Sequence, residues 1–284
     1  MKPLSLLRFV PLVVLLFLSG CDCPCEPLCE APCAVDRGKL EPLKEDNPDI
    51  NTIDKPPHAS MGSLKGVVKL DGPVPTPEII QAPAAFPECN CPAAGIPNES
   101  LVVDAKTKGL KWAIIRLTPP ETLKMRPLLK AKKAPELNLK GCMFSPHVII
   151  VPPGVDIEVL NPDKITYNIH SLPYDSDNVS VNLPLMGAAN WTYKAAWLKD
   201  PDLIEVKDDI HNWMRGFIVC HDPRLCAISA ADGTFEIKNL PPGDYKLNIW
   251  HEKFGNYMKK ESIDITIKAS AAMDLGEVKM QARH

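Results

Sequence analysis

The stretch from Lys207 to Phe217 reads KDDIHNWMRGF and places a carboxylate, an imidazole and a thioether at Asp208, His211 and Met214, in steps of three residues. A cysteine at Asp208 would put three soft or borderline ligands on one loop, a set that suits copper in both oxidation states. With the aspartate, the loop offers a carboxylate and imidazole pair that suits zinc or Cu(II) rather than Cu(I). The other reactive side chains are cysteines: Cys89 and Cys91 in ECNCP, then Cys142, Cys220 and Cys226, and five more between Cys21 and Cys33. No nucleophile with a base and oxyanion donors, no phosphate loop and no paired carboxylates stand out. The chain therefore reads as a non-enzyme.

The elements that must position these groups are β-strands. Thirty prolines among 284 residues disfavour helix interiors and central strand positions, so short strands joined by rigid turns are expected. The 32 basic and 35 acidic side chains nearly balance, which leaves no electrostatic footprint for nucleic acid. The one basic run, KMRPLLKAKK from Lys124 to Lys133, reads as a solvated connection.

The N-terminus assigns the compartment. Lys2 and Arg8 precede an apolar run from Phe9 to Leu18 that is too short to span a hydrocarbon core of about 30 Å, so residues 1–20 read as a secretion signal. The end of that segment, Leu18-Ser19-Gly20-Cys21, resembles the lipobox of bacterial lipoproteins. The resemblance implies cleavage before Cys21, a lipid on Cys21, and membrane anchoring on the periplasmic side, with Asp22 resembling an inner-membrane retention signal. The run CDCPCEPLCEAPC is either a metal-binding or disulfide-knotted collar or a surface tether, and its crowding favours the tether. It continues into a charged, proline-containing linker, so residues 21–62 form one connecting segment.

The folded part begins with KGVVKLDGPVP, a strand closed by an Asp-Gly turn, and KWAIIRL at Lys111 to Leu117 is a second strand. In DGTFEIKNLPPGDYKLNIWH, Phe235 and Ile237 alternate with polar neighbours, Pro241-Pro242-Gly243 reverses the chain, and Tyr245, Leu247 and Ile249 resume the alternation. These pieces resemble the carboxypeptidase regulatory-like domain, a small transthyretin-like sandwich, over residues 63–118 and 227–280. About a hundred residues between the halves fit no strand of that module. Val148 to Val151, the Pro152-Pro153-Gly154 turn and Asp156 to Leu160 suggest a second sandwich over residues 139–226. Through Gly141-Cys142, Pro146-His147, Asn161-Pro162-Asp163, Asn168, His211 to Met214 and Trp250-His251-Glu252, the chain resembles cupredoxin-like proteins of bacterial envelopes, the methylamine-utilisation group. The fold class that follows is all-β: a cupredoxin-like Greek-key sandwich inserted in a transthyretin-like one.

Carried over residue by residue, the resemblance puts a copper loop cysteine at Asp208, the loop histidine at His211, the axial methionine at Met214 and the remaining histidine at Tyr167. Two of four ligand positions depart from the pattern. His170 lies three residues from Tyr167, an odd offset that sends it to the opposite face of an extended strand unless the strand has ended. Three outcomes stay open: no metal, a single non-blue copper or zinc ion on His211 with Asp208 or His170, or copper in another arrangement. His147 and His251 read as structural. One of Cys89 and Cys91 with Cys142 is a candidate disulfide, and Cys220 with Cys226 another. The function class is either a metal or redox module with an envelope redox or protein partner, or a non-redox lipoprotein that binds a protein or polysaccharide.

Overall fold

The computed structural model describes residues 60–90, 95–123, 125, 128, 133–257 and 261–281. The signal segment, Cys21, Asp22, the cysteine-rich tether and Cys91 lie outside the described residues. Within them the regular secondary structure is nearly all strand, as the composition predicts.

In chain order the strands are β1 (Gly62–Leu70), β2 (Ile79–Ile80), β3 (Ile96–Pro97), β4 (Ile114–Thr118), β5 (Glu136–Lys140), β6 (Met143–Ser145) and β7 (Val148–Val151). There follow β8 (Ile157–Leu160), β9 (Tyr167–Pro173), β10 (Asn182–Leu185), β11 (Asn190–Tyr193), β12 (Asp202–Lys207) and β13 (Arg215–Cys220). The chain ends with β14 (Cys226–Ile228), β15 (Thr234–Leu240), β16 (Gly243–His251), β17 (Gly255–Asn256), β18 (Ile263–Ile267) and β19 (Ala272–Met280).

Two pairs of sheets result. In the first, the sheet β15-β1-β19 faces β14-β4-β16-β17, with β18 also on β16. Leu64, Phe235 and Val278 from one sheet meet Leu117, Leu247 and Ile265 from the other in a single core. The burial of β16 alternates at Tyr245, Leu247 and Ile249, as its period of two requires. The turn into β15 depends on Gly233: its φ is +84°, and a Cβ there would lie 2.2 Å from the Val68 carbonyl oxygen. The strand expected from Lys111 starts only at Ile114, because Trp112 turns the chain at φ +70°.

The second pair of sheets is β10-β9-β12-β13-β7 and β11-β8-β5-β6. Ile169, Val206 and Ile218 of one sheet pack against Leu139, Phe144 and Val159 of the other. The back of the five-stranded sheet is also covered: Val148, Leu203, Phe217 and Val219 pack on Ile114, Cys226 and Trp250 of the first pair. Burial on both faces accounts for the unbroken apolar run Phe217-Ile218-Val219-Cys220, since neither side of that strand meets water.

The segment from Ile79 to Pro97 differs from expectation. It lies between β1 and β4 in sequence, yet Ala82, Cys89 and Ile96 belong to the second core. A disulfide from Cys89 to Cys142 ties it there.

Candidate metal centre

Antiparallel pairing of β12 with β13 ends at Lys207 and Arg215, so residues 208–214 form the loop that joins them. Two backbone bonds close it: Asp208 N–H donates to the Met214 carbonyl at 3.3 Å, and Met214 N–H to that of His211 at 2.8 Å. Asp208 sits at the neck of the loop, 1 % exposed. Its Oδ1 accepts the N–H groups of Ile210 and His211 at 2.7 and 2.8 Å. Its Oδ2 accepts the Asn168 N–H of β9 at 2.8 Å and lies 3.2 Å from His211 Nδ1. A buried carboxylate needs such donors to replace water, and this one has them.

His211 is buried within a cage of rings. Phe86, Tyr167 and Trp213 have their centroids 4.9, 5.2 and 5.5 Å from the imidazole. Tyr167 stands beside the histidine as the resemblance implies, but it carries no ligand nitrogen. Its hydroxyl donates to Asp163 Oδ2 at 2.7 Å and accepts the Cys142 N–H at 2.8 Å. Burial, and secondarily the bond to the Asp163 carboxylate, push its ionisation far up. Met214 is buried in the same core.

His170 is not brought to this centre. β9 continues to Pro173, so the odd offset from Tyr167 holds and His170 points away from the core. There it pairs with Asp209 Oδ2 at 2.8 Å and meets Asn182 at 3.3 Å. Its expected role as a ligand alongside His211 is corrected on that ground.

The cysteines sort differently from one expectation. Cys142 occupies the two-residue turn between β5 and β6, where Gly141 and Cys142 have φ of 60° and 58°, as twisted hairpin turns require. It bonds to Cys89, one of the two partners expected for it, and both sulfurs lie in the second core. Cys220 and Cys226 are both free and buried. They do not pair because Cys220 points into the second core while Cys226 points into the seam between the two pairs of sheets.

The structural histidines are each satisfied. His147 Nε2 contacts Glu252 Oε2 at 2.9 Å across the seam. His251 Nε2 faces the Lys111 carbonyl at 3.1 Å, and its Nδ1 accepts the Lys253 N–H at 3.2 Å. This bonding describes a neutral ring, and burial pushes its titration down to about 4.

Spacing alone did not reveal the aromatic cage or the nearness of the disulfide to the imidazole. Phe86 and Cys89 lie over a hundred residues from His211, and only the folding-back of their segment brings them there. One ring nitrogen of His211 and the two sulfurs of Cys89 and Cys142 lie within 4.8 Å of one another.

Comparison with solved structures finds copper proteins. The chain is similar to a purple cupredoxin from Nitrosopumilus maritimus at 16% identity, over 30% of this chain and 98% of that one, with a TM-score of 0.25. It is similar to an amicyanin variant in its Cu(I) form at 13% identity, over 37% of this chain and 99% of that one, with a TM-score of 0.28. A copper-containing nitrite reductase from Thermus scotoductus SA-01 matches at 17% identity and a TM-score of 0.29, over 37% of this chain but only 26% of the reductase. No protein-family model matches the chain, and no curated protein matches it.

Proposed function

We propose that this chain is a lipid-anchored, non-enzymatic protein of the bacterial envelope whose cupredoxin-like sandwich carries no type 1 copper centre. The observation behind this reading is the Asp208 carboxylate. It accepts three backbone N–H groups and faces His211 Nδ1, so it works as a structural cap in the place where the resemblance calls for a thiolate. Tyr167 compounds the mismatch, because its hydroxyl is spent on Asp163 and Cys142. Two of the four donors a blue copper ion needs are replaced by groups already engaged in folding. The donor set does not fit that ion.

The test is spectroscopic. The mature chain, titrated with Cu(II) beside its His211→Ala variant, is expected to develop no intense thiolate-to-copper absorption in the visible that depends on His211. The double variant Asp208→Cys, Tyr167→His is expected to develop it. A His211-dependent band in the unaltered protein would overturn the loss of the site; a folded double variant without one would count against the cupredoxin-like reading.

A second reading, binding of a peptide or saccharide, is favoured by a cleft of about 330 Å³ beside the same loop. Trp213, His147, Arg215 and Glu252 line it, and the buried Ser100 hydroxyl that also lines it has no hydrogen-bond partner. An aromatic face next to charged and hydroxyl groups suits a small polar ligand. Trp213→Ala should abolish binding in a saccharide or peptide screen if that reading holds.

A further inference from the structure

We infer that reduction of the Cys89–Cys142 disulfide exposes a three-coordinate site for monovalent copper, made of both thiolates and the His211 imidazole. The three ligand atoms already lie within 4.8 Å of one another, and all three residues are buried. They come from three separate parts of the chain: the short turn Pro87–Asn90, the β5–β6 turn and the 208–214 loop. Two thiolates with one imidazole form a soft donor set that suits Cu(I).

The surroundings prepare the imidazole. Asp208 Oδ2 lies 3.2 Å from Nδ1; with Nδ1 donating to that carboxylate, Nε2 is the ring nitrogen left with a lone pair. A carboxylate behind a ligating histidine holds the ring in one orientation. No fourth donor is supplied by Tyr167. Its hydroxyl lies 3.6 Å from Cys142 Sγ but is committed to Asp163 and the Cys142 N–H. A Cys2His set holds zinc only when water completes four-coordination, whereas Cu(I) is satisfied by three soft donors, so the burial of all three residues favours copper over zinc. The site shares His211 with the blue-copper pattern but takes both its sulfurs from elsewhere, and it does not depend on the cupredoxin-like reading.

The opening step requires an external dithiol. One of its thiolates attacks a sulfur of the Cys89–Cys142 bond and forms a mixed disulfide. Its second thiol then closes to the external disulfide and releases the remaining protein sulfur. Two electrons and two protons pass from the dithiol to the two protein sulfurs. Cu(I) then displaces both thiol protons to solvent and stays monovalent throughout. The disulfide thus holds the site closed in an oxidising compartment, and a reductant opens it.

The full mature chain, reduced with dithiothreitol and freed of it under argon, is titrated with Cu(I) presented as its bicinchoninate complex. The cysteine-rich tether offers thiolates of its own, so the readout is a difference between variants. Cys89→Ser/Cys142→Ser is expected to bind one copper fewer per chain than the unaltered protein. X-ray absorption at the copper edge is expected to show imidazole scattering that His211→Ala removes; that variant retains both cysteines, so the result stands even if the double serine variant fails to fold. Equal copper binding by a folded double serine variant, or a copper spectrum unchanged by His211→Ala, overturns the proposal. Preferential uptake of Zn(II) over Cu(I) at these residues overturns the choice of metal.

Discussion

Asn168 and Asp208 clasp each other across β9 and the end of β12. The Asn168 N–H donates to Asp208 Oδ2 at 2.8 Å, while Asn168 Oδ1 accepts the N–H of Asp209 at 3.1 Å. Both side chains are buried. The loop that carries His211 and Met214 is thereby pinned to the neighbouring strand by the Asp208 carboxylate.

Removing the carboxylate should therefore unfold the loop before it affects anything else. Asp208→Ala strands the N–H groups of Asn168, Ile210 and His211, each worth about 1 to 3 kcal/mol when buried without a partner. A loss of about 3 to 5 kcal/mol is expected in urea denaturation, with a smaller loss for Asp208→Asn, which keeps one acceptor oxygen. A loss below about 1 kcal/mol for the alanine variant would contradict the structural role.

Acid should weaken the fold through His251. Burial lowers its folded-state titration from 6.5 to about 4, so between those values the unfolded chain binds more protons than the folded one. The stability from this group is fully present above about pH 6.5, declines as pH falls, and by about pH 4 has dropped by about 3 kcal/mol. Burial lowers His221 in the same direction. Urea midpoints compared at about pH 7.5 and about pH 5 should fall on acidification, and His251→Gln should flatten that slope. An unchanged slope in the variant would remove His251 as a cause.

Loss of the Cys89–Cys142 bond should be felt as lost stability even without copper. It closes a loop of 53 residues, for which chain-entropy reasoning gives about 4 kcal/mol. Denaturation of Cys89→Ser/Cys142→Ser, measured beside the unaltered oxidised protein, should show a lowered midpoint. Equal midpoints would mean that the segment from Ile79 to Pro97 is held by packing alone.

The free thiols should be silent in the native state. Burial pushes both Cys220 and Cys226 up to about 12, and the thiolate is the reactive form. Iodoacetamide followed by peptide mapping should leave both unlabelled at neutral pH and label both once the protein is denatured. Labelling of either in the folded protein would contradict its place in the packed interior.

Local pattern carried much of the fold. The alternation in DYKLNIW, the Pro241-Pro242-Gly243 reversal and the run VIIV were sufficient to name strands, because side-chain direction in a strand repeats every two residues wherever the strand lies. His170 shows the same rule at the site: its odd offset from Tyr167 placed it on the wrong face, and β9 extends far enough to keep it there. Trp112 escaped that reasoning, since a single residue at positive φ ends a strand without any change in hydrophobic pattern.

The cysteines mark the boundary. Composition named the reactive residues, and the Asp208 and Tyr167 departures spoke against blue copper, because ligand chemistry is a property of residue type. Which sulfurs met was decided in three dimensions. Cys220 and Cys226 are six residues apart and stay free because their side chains enter different cores. Cys89 and Cys142 are 53 apart and bond because the segment carrying Cys89 folds back onto the second sandwich. That return, driven by burial of Ala82, Cys89 and Ile96, also brings Phe86 and two sulfurs to His211. Burial is non-directional and sums over the whole surface, so no short stretch of sequence encodes where such a segment comes to rest.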